Sequence, residues 1–267
     1  MIRMIEEHAL NAWPSLQTLL LDGWVLRFAN GYTRRANSVN PLYPSQQEAG
    51  EKVRVCERWY RERGLKVVFK MTAASQPDDL DAFLAARGYE IDAPTSVQLM
   101  ELGALDAAPA ADITLDAAVT VRPSSVVGRP SPTADITLDA TVTDAWFAAF
   151  CAMSGADRRH HGTMRQLLDL ILPETRFAAL WLDGRVAACG LGVLQAGYIG
   201  LYDIAVTPEL RRSGYGQRLV ESLLAWGKGA GGHTAYLQVM LNNASALRLY
   251  EKVGFREIYQ YWYRAKA

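Results

Sequence analysis

The order of apolar and polar positions after about residue 144 alternates between a period near two, typical of strands, and a period near 3.6, typical of helices. Helices are predicted over 144–153, about 163–172, about 215–228 and 244–253. Strands are predicted over 177–182, 185–194, 198–206, 235–240 and around 258–264. Strands that alternate with helices in this way predict an α/β (α+β) fold, in which a mixed sheet is flanked by helices.

The first 102 residues carry a second set of such patterns. Two strands, 24–28 and 32–39, are predicted to pair as a hairpin through Asn30-Gly31, because this dipeptide favours a tight turn. An amphipathic helix over 46–63 and a buried strand over 66–71 follow. A short helix over 78–87 then leads into a strand over 96–101. These elements predict an N-terminal domain, 1–102.

Residues 103–143 lie between the two patterned regions and are rich in Ala, Asp, Pro and Ser. This composition predicts a linker. Residues 109–120 (PAADITLDAAVT) recur almost unchanged as residues 132–143 (PTADITLDATVT). One tandem copy cannot form a solenoid, so we interpret it as a local duplication in a tolerant loop. The chain is thus predicted to have a C-terminal domain, 144–267, after this linker.

Composition narrows the possible partners and compartment. The 28 Lys and Arg residues balance the 28 Asp and Glu residues, which argues against a nucleic-acid partner. Three widely spaced cysteines and no Cys/His cluster of zinc-ligand spacing predict a cytoplasmic protein without a metal. The acidic Glu6-Glu7 pair interrupts any signal-peptide pattern, and no apolar run is long enough to span a membrane, so we expect neither export nor insertion.

The segment with the clearest chemical signal is IAVTPELRRSGYGQRLV, residues 204–220, a strand that passes through a short loop into a helix. The first amides of a helix have no intrahelical partner and lie at the positive end of its dipole, so they form an anion site. Gly214 and Gly216 allow an anion to approach those amides closely, and Arg211 and Arg212 add positive charge. This arrangement predicts a pyrophosphate-binding loop.

The pattern Val-x-Pro-x-x-Arg-Arg-x-Gly-x-Gly resembles the acyl-CoA signature of the GNAT superfamily of N-acetyltransferases. A second block, LQVMLNNASALRLYEKVGF over residues 237–255, resembles the family motif that follows it. The resemblance implies a mostly antiparallel mixed sheet and acetyl-CoA as cosubstrate. It assigns cofactor contacts to Ile204, Ala205, Val206, Arg211, Arg212, Ser213, Gly214, Tyr215, Gly216, Gln217 and Asn243.

The same resemblance makes Tyr250 the acid that protonates the leaving thiolate. The alternative for Tyr250 is a core aromatic residue with a satisfied hydroxyl. Family members that acetylate protein N-termini can carry a glutamate where this chain has Gln238, and glutamine is not a useful base at neutral pH. The deprotonating group must then be another residue or a water chain. Tyr202 and Asp203 are candidate bases, of which strand alternation should let only one face the cleft. A purely structural role for Asp203 is equally open.

The first half resembles a diverged copy of the second. Residues 83–90 (FLAARGYE) are similar to residues 249–256 (LYEKVGFR), and this alignment puts Leu84 in the place of Tyr250. The closest match to the pyrophosphate loop is Arg61-x-x-Gly64-x-Lys66, which lacks the second glycine. The segment 22–39 also resembles the N-terminal part of bacterial tandem GNAT proteins. We therefore expect two GNAT-like domains in tandem, the first without catalytic activity.

These observations predict an N-acetyltransferase that transfers an acetyl or other acyl group to a primary amine of a small molecule or peptide, by direct attack within a ternary complex. The protein would be a monomer or homodimer. The alternative is a non-catalytic acyl-CoA sensor or regulatory module, which Gln238 would favour and Tyr250 would not. Transfer from aminoacyl-tRNA is a third possibility, disfavoured by the neutral charge. His160-His161 is expected at a polar helix entry. The paired arginines Arg34-Arg35 are expected on a solvated face, with contact to coenzyme or an anionic substrate as the alternative.

Overall fold

The computed structural model of the chain describes residues 1–104, 120–121 and 134–266. The helices in these ranges are α1 (Ile2–Ala12), α2 (Ala49–Glu62), α3 (Leu80–Ala86), α4 (Asp144–Ser154), α5 (His161–Asp169), α6 (Tyr215–Gly229) and α7 (Ala244–Val253). The strands are β1 (Gln17–Leu21), β2 (Trp24–Phe28), β3 (Val39–Asn40), β4 (Val68–Met71), β5 (Glu90–Glu101), β6 (Thr120–Val121), β7 (Asp135–Asp139), β8 (Glu174–Leu182), β9 (Arg185–Gln195), β10 (Tyr198–Val206), β11 (Thr234–Met240) and β12 (Arg256–Ala265).

All of these strands join one sheet, in the order β1-β2-β3-β4-β12-β5-β11-β10-β9-β8-β7-β6. Two neighbouring pairs, β3 with β4 and β10 with β11, are parallel, and the other pairs are antiparallel. The prediction of a mixed, mostly antiparallel sheet flanked by helices is therefore confirmed.

The two halves of the chain exchange strands at the centre of this sheet. The succession β4-α3-β5 in the first half has the same order as β11-α7-β12 in the second. β5 pairs with β11, and β12 pairs with β4, so the last strand of each half lies beside the penultimate strand of the other. β5 and β12 also pair with each other. The sheet is consequently continuous across the predicted domain boundary.

Three apolar clusters cover the sheet. Trp24, Val53 and Leu84 belong to a cluster that α2 and α3 form with β2–β4. α6 and α7 contribute to a second cluster, which contains Leu219, Leu223 and Tyr250. A third cluster, on α1, α4 and α5, contains Ile5, Trp146 and a group of tyrosines on β10, β11 and β12.

α1 was not predicted from the sequence, although its pattern explains its place. Ile5, Ala9 and Ala12 are buried along one face. Glu6, on the same helix, forms a buried ion pair with Lys70 of β4 at 2.5 Å and accepts a hydrogen bond from Tyr259 of β12 at 2.8 Å. An unpaired charge would be costly at this depth, so these contacts fix the helix against strands from both halves.

The predicted hairpin over residues 24–39 differs from the structure in its turn. β2 forms a tight hairpin with β1, and the turn is Asp22-Gly23, whose φ values are both positive. β2 pairs with β3 only at Val25↔Asn40 and Leu26↔Val39. Residues 29–38 form a loop rather than a strand, which we call the crossing loop. Asn30 and Gly31 do adopt the left-handed turn conformation, but they begin this longer loop instead of closing a tight hairpin.

The predicted linker, 103–143, contains a strand near its end. β7 consists of Asp135–Asp139 from the second copy of the repeat and pairs with β8 along its whole length. The first copy, 109–120, lies outside the described residues apart from Thr120. The second copy therefore extends the sheet, because its alternating DITLD pattern suits an outer strand.

Candidate active site

A gap opens within the sheet between β10 and β11. The parallel ladder between these strands ends at Leu201↔Leu237. β10 nevertheless continues to Val206 against β9, and β11 continues to Met240 against β5. The backbone groups of Ile204, Ala205 and Val206 that face β11 are thereby left outside this ladder. Such groups can pair with an amide-bearing ligand that enters the gap.

Asp203 is an extra residue inserted in β10 at the start of the gap. Its φ is 54°, and the register with β9 shifts between Tyr202 and Ala205. Tyr202 belongs to the cluster on α1 and α4, whereas Ile204 packs against the α6 cluster. In a regular strand these two residues would face the same side of the sheet, so the bulge reverses the facing of the residues that follow it. Bulges of this kind redirect side chains near functional sites.

The bulge removes the strict alternation from which only one of Tyr202 and Asp203 was expected to face the cleft. Both contact Arg35 of the crossing loop: an Asp203 Oδ1 atom lies 3.6 Å from an Arg35 guanidinium nitrogen, and the guanidinium lies 5.9 Å from the centroid of the Tyr202 ring. The alternation rule fails because it applies to a regular strand, and here one residue has been added.

The carboxylate of Asp203 is buried and only partly paired. Its side chain is 7% exposed, and within the described residues its Oδ2 atom has no hydrogen-bond partner. Burial raises the pKa of Asp203 to about 6, and the positive charge of Arg35 limits the rise. A carboxylate that titrates near neutrality with one free oxygen has the properties of a general base.

Tyr202 differs from Asp203 in its surroundings. Its hydroxyl donates a hydrogen bond to Tyr236 of β11, and burial raises its pKa above the ordinary value. The phenol therefore stays protonated at neutral pH, so it cannot accept a proton from an amine.

The loop after β10 leads into α6 with its first amides uncapped. Arg211, Arg212, Ser213 and Gly214 are exposed, while Tyr215, Gly216 and Gln217 form the partly buried first turn. Gly214 is the N-cap residue at φ 84° and supplies no side-chain cap. A Cβ atom at Gly214 would meet nothing within 4 Å, so open space lies in front of the helix. An open helix start of this kind can bind an anion.

Asn243 and Tyr250 lie at the two ends of α7. Asn243 is exposed at the N-cap, where its Oδ1 accepts hydrogen bonds from the Ala246 amide at 3.2 Å and the Ser245 hydroxyl at 3.0 Å. Tyr250 is buried against Phe255. Burial, and then the negative charge of Asp203, raise the pKa of Tyr250 to about 12. The phenol therefore carries its proton at neutral pH and lies close enough to Asp203 to sense its charge.

Gln238 and the paired histidines His160-His161 make contacts within the protein. Gln238 accepts a hydrogen bond from the Tyr261 hydroxyl at 3.3 Å. A ring nitrogen of His161 lies 3.1 Å from the Ala156 carbonyl oxygen, and the His160 ring contacts Tyr32. Among the described residues, no group of His, Cys, Asp or Glu side chains is arranged to hold a metal ion.

Arg35 is the site residue that sequence reasoning missed. It was expected on a solvated face together with Arg34, but it is held over the Trp13 ring and reaches Asp203, 168 positions later in the chain. Arg34 is the more exposed of the two and pairs with Asp92. The local sequence around Arg34-Arg35 does not indicate which of the two arginines is exposed and which reaches Asp203.

Comparisons with known proteins agree with this geometry. A model of the acetyltransferase (GNAT) family matches residues 143–255. A second model, described as probable histone acetyltransferase Rv0428c C-terminal, matches residues 1–117. The uncharacterized N-acetyltransferase YobR of Bacillus subtilis is 29% identical over 270 residues, covering 99% of this chain and 98% of that protein. Residues 143–255 thus belong to the GNAT family of acetyltransferases.

Solved structures show the same tandem fold. A GCN5-related N-acetyltransferase from Kribbella flavida aligns with a TM-score of 0.66 at 14% identity, covering 99% of this chain and 95% of that one. A tandem GNAT protein from the clavulanic acid biosynthesis pathway aligns with a TM-score of 0.59 at 11% identity, covering 98% and 87%. The fold of this chain is thus shared with GNAT structures, one of which is a tandem protein.

Strand order identifies the segment of the first half that corresponds to the loop before α6 in the second. The segment between β3 and α2, residues 41–48, takes the place of the segment between β10 and α6. The nearest sequence match, Arg61-x-x-Gly64-x-Lys66, lies instead between α2 and β4. At the start of α2, the Glu48 carboxylate accepts hydrogen bonds from the amides of Gly50 and Glu51, both at 2.9 Å. An anion from the chain itself thus binds the helix start.

A second carboxylate reinforces this closed arrangement in the first half. Asp22 accepts hydrogen bonds from the Ser45 hydroxyl at 2.6 Å and from the amides of Gln46 and Gln47. The Ser45 hydrogen bond, with the Gln47 amide, lowers the pKa of Asp22 to about 2. The buried Lys52 ammonium lies 3.4 Å from the Asp22 carboxylate. The loop amides that a phosphate would need are already engaged.

Proposed function

We propose that the second half transfers an acetyl group from acetyl-CoA to a primary amine of a small molecule or peptide, by direct attack in a ternary complex. The observation that carries this proposal is the gap between β10 and β11, which has the uncapped start of α6 at its mouth and the partly paired carboxylate of Asp203 where the strands separate. In the proposed reaction these features would supply an anion cradle, unpaired strand amides and a base.

Binding of the cosubstrate would use the backbone more than side chains. The first amides of α6 would accept the pyrophosphate, and Arg211 and Arg212 would add charge. The free backbone groups of Ile204, Ala205 and Val206 would pair with the amide groups of the pantetheine arm. They would also polarise the thioester carbonyl as negative charge develops on its oxygen. Asn243 would contact the cofactor from the start of α7.

The chemical step would divide proton transfer between two residues. Asp203 takes the proton from the amine nitrogen as the nitrogen–carbon bond forms. Tyr250 then gives its proton to the thiolate sulfur as the carbon–sulfur bond breaks. The pKa of Asp203 near 6 leaves it ionised at neutral pH, and the raised pKa of Tyr250 keeps it protonated, so each residue starts in the state that its role requires.

The first half would bind no acetyl-CoA. The carboxylates of Glu48 and Asp22 engage the amides that correspond to the pyrophosphate cradle, and Leu84 replaces the acid. We place the non-catalytic domain at 1–102 and the catalytic domain at 144–267, as the sequence predicts. Calorimetry of the full chain should give one acetyl-CoA per chain, and a stoichiometry of two would contradict the assignment.

Turnover by the full chain provides the direct test. Purified protein is mixed with acetyl-CoA and a panel of amines, and free coenzyme A thiol is followed with a thiol-reactive dye. We expect release that depends on both the protein and one class of amine. Tight acetyl-CoA binding without release on any amine would favour the sensor alternative.

The cysteines and the helices bear on the compartment and the partners of the protein. Cys56, Cys151 and Cys189 are free thiols, which supports a reducing compartment such as the cytoplasm. No helix in the described parts of the chain combines the length and apolar character needed to cross a membrane. We expect an amine acceptor as the principal partner, with neither nucleic acid nor a membrane required.

A further inference from the structure

The crossing loop, residues 29–38, extends from the first half to the site in the second. Asn37, 6% exposed, organises the loop from inside: its Oδ1 accepts hydrogen bonds from the amides of Ala29 and Gly31, and its Nδ2 donates to the Tyr32 carbonyl. Asn30 then donates to the Thr163 hydroxyl of α5 at 3.1 Å. The loop is therefore fixed at both ends before any substrate binds.

The fixed loop places Arg35 next to Asp203. Its guanidinium lies 5.0 Å from the Trp13 ring centroid and 3.6 Å from Asp203 Oδ1. Its backbone carbonyl accepts a hydrogen bond from the buried Arg27 guanidinium. Both ends of Arg35 are thus held, and its charge is aimed at one oxygen of the carboxylate while Oδ2 stays free.

We propose that Arg35, supplied by the non-catalytic half, positions Asp203 and keeps its carboxylate ionised for the reaction in the other half. This inference rests on the proposed role of Asp203 as base. It makes the active site composite, because the second half contains the base but not the cation that orients it. Arg35 is a positioning residue, since it would act on the amine only through Asp203.

Among the groups around Asp203, Arg35 is the charged one that favours the ionised carboxylate. Tyr32 comes from the crossing loop, Cys189 from β9 and Tyr250 from α7. Each is neutral at pH 7, because burial raises its pKa above the ordinary value. Arg35 itself also faces Tyr202 on β10 and two tyrosines of β12, Tyr261 and Tyr263, none of which brings a positive charge.

The direction of the pH effect follows from these contacts. Burial raises the pKa of Asp203, and Arg35 opposes the rise. Removing the guanidinium leaves burial unopposed, so the pKa of Asp203 rises further and less of the base is ionised at pH 7. Activity is then lost at neutral pH and recovered as the pH increases through the new pKa.

The test compares the pH dependence of kcat/KM for the full chain with that of Arg35→Gln, Arg35→Met, Arg35→Lys, Arg34→Gln and Asp203→Asn, using the amine found by the turnover assay. We expect the acidic limb of both neutral Arg35 variants to move upward by roughly one pH unit or more. Arg35→Lys should restore part of the shift. Arg34→Gln, which removes a neighbouring exposed charge, should leave the limb in place.

A double-mutant comparison separates positioning from general structural damage. If Arg35 acts through Asp203, Arg35→Gln should lower kcat/KM in the wild type but have little further effect in the Asp203→Asn background. Thermal unfolding and acetyl-CoA affinity identify which variants are folded. If both neutral Arg35 substitutions also prevent folding in the Asp203→Asn background, where no carboxylate needs the cation, Arg35 serves folding alone and the proposal is overturned.

The outcomes distinguish the two proposals. If Asp203→Asn keeps the acidic limb and most of its activity, Asp203 is not the base and the proposed mechanism fails. If Asp203→Asn abolishes the limb but a folded neutral Arg35 variant leaves it unmoved, the base assignment stands and the role of Arg35 is refuted.

Discussion

The Tyr202 hydroxyl donates a hydrogen bond to the Tyr236 hydroxyl at 2.8 Å, beside the last paired residues of β10 and β11. This bond joins the two strands just before they separate. It also occupies the Tyr202 hydroxyl with a neighbour inside the protein, on the side of the sheet that carries α1 and α4.

We predict that Tyr202→Phe changes kcat/KM by no more than a few-fold, because a protonated, internally bonded phenol is not the base. The variant should lose roughly 1–3 kcal/mol of unfolding free energy, since a buried hydroxyl on Tyr236 loses its partner. Tyr236→Phe is the matched control and should behave alike in both assays. A hundredfold loss of activity in Tyr202→Phe alone would make Tyr202 a catalytic residue.

For Tyr250, we predict that Tyr250→Phe lowers kcat by about 10²–10⁴-fold, the usual contribution of general acid catalysis, and leaves acetyl-CoA affinity nearly unchanged. The ring and its packing against Phe255 remain, and only the proton is lost. Single-turnover kinetics and calorimetry measure the two effects. Tyr43→Phe removes a hydroxyl that binds Glu7 in the first half and serves as the control. A kcat within a few-fold of wild type would show that another acid operates.

Gly214→Val is predicted to weaken acetyl-CoA binding by at least tenfold. Valine disfavours the left-handed backbone at this position, and its side chain would fill the open space in front of α6. Gly231→Val is a matched control, because Gly231 also has positive φ and open surroundings but lies after α6. Equal loss of affinity in both variants would point to backbone strain in general and would remove support for the cradle.

Deleting residues 1–102 is predicted to leave an insoluble, inactive fragment. β11 would lose its neighbour β5, and β12 would lose both of its neighbours, β4 and β5. The second half would also lose Arg35. We expect co-expression of the two parts, residues 1–112 and 113–267, to restore solubility and thiol release, because the contacts and not the connection are required. An active, soluble fragment 135–267 would contradict this prediction.

The sequence predicts the elements of the second half well but not how they meet the first. Local periodicity suffices for β8 to β12, since each depends on nearby residues. The exchange of β5 and β12 depends on pairing between strands that are far apart in the sequence, and no local pattern indicates which strands pair. The twelve residues of β5 were predicted only in part, over 96–101, because its exposed first half resembles a loop.

The crossing loop shows the same limit at the scale of single residues. Asn30-Gly31 correctly indicates a turn, but the length of the loop is set by Asn37, whose amide bonds its backbone from inside. Arg35 and Asp203 are distant in sequence, so their ion pair could not be read from either segment. The extra residue at Asp203 likewise has no signature in a strand of ordinary composition.

The exchanged strands also constrain the order in which the protein can be completed during synthesis. β12 follows every other strand in the sequence yet lies between β4 and β5 of the first half. A nascent chain that has already emerged through β5 must therefore hold two open strand edges until residues 256–265 are made. Such edges favour pairing with other chains. A message truncated just before β12 would yield an aggregation-prone product even though it encodes Arg35, Asp203 and Tyr250. Selection on the ten residues of β12 would therefore act through the yield of folded protein as well as through catalysis.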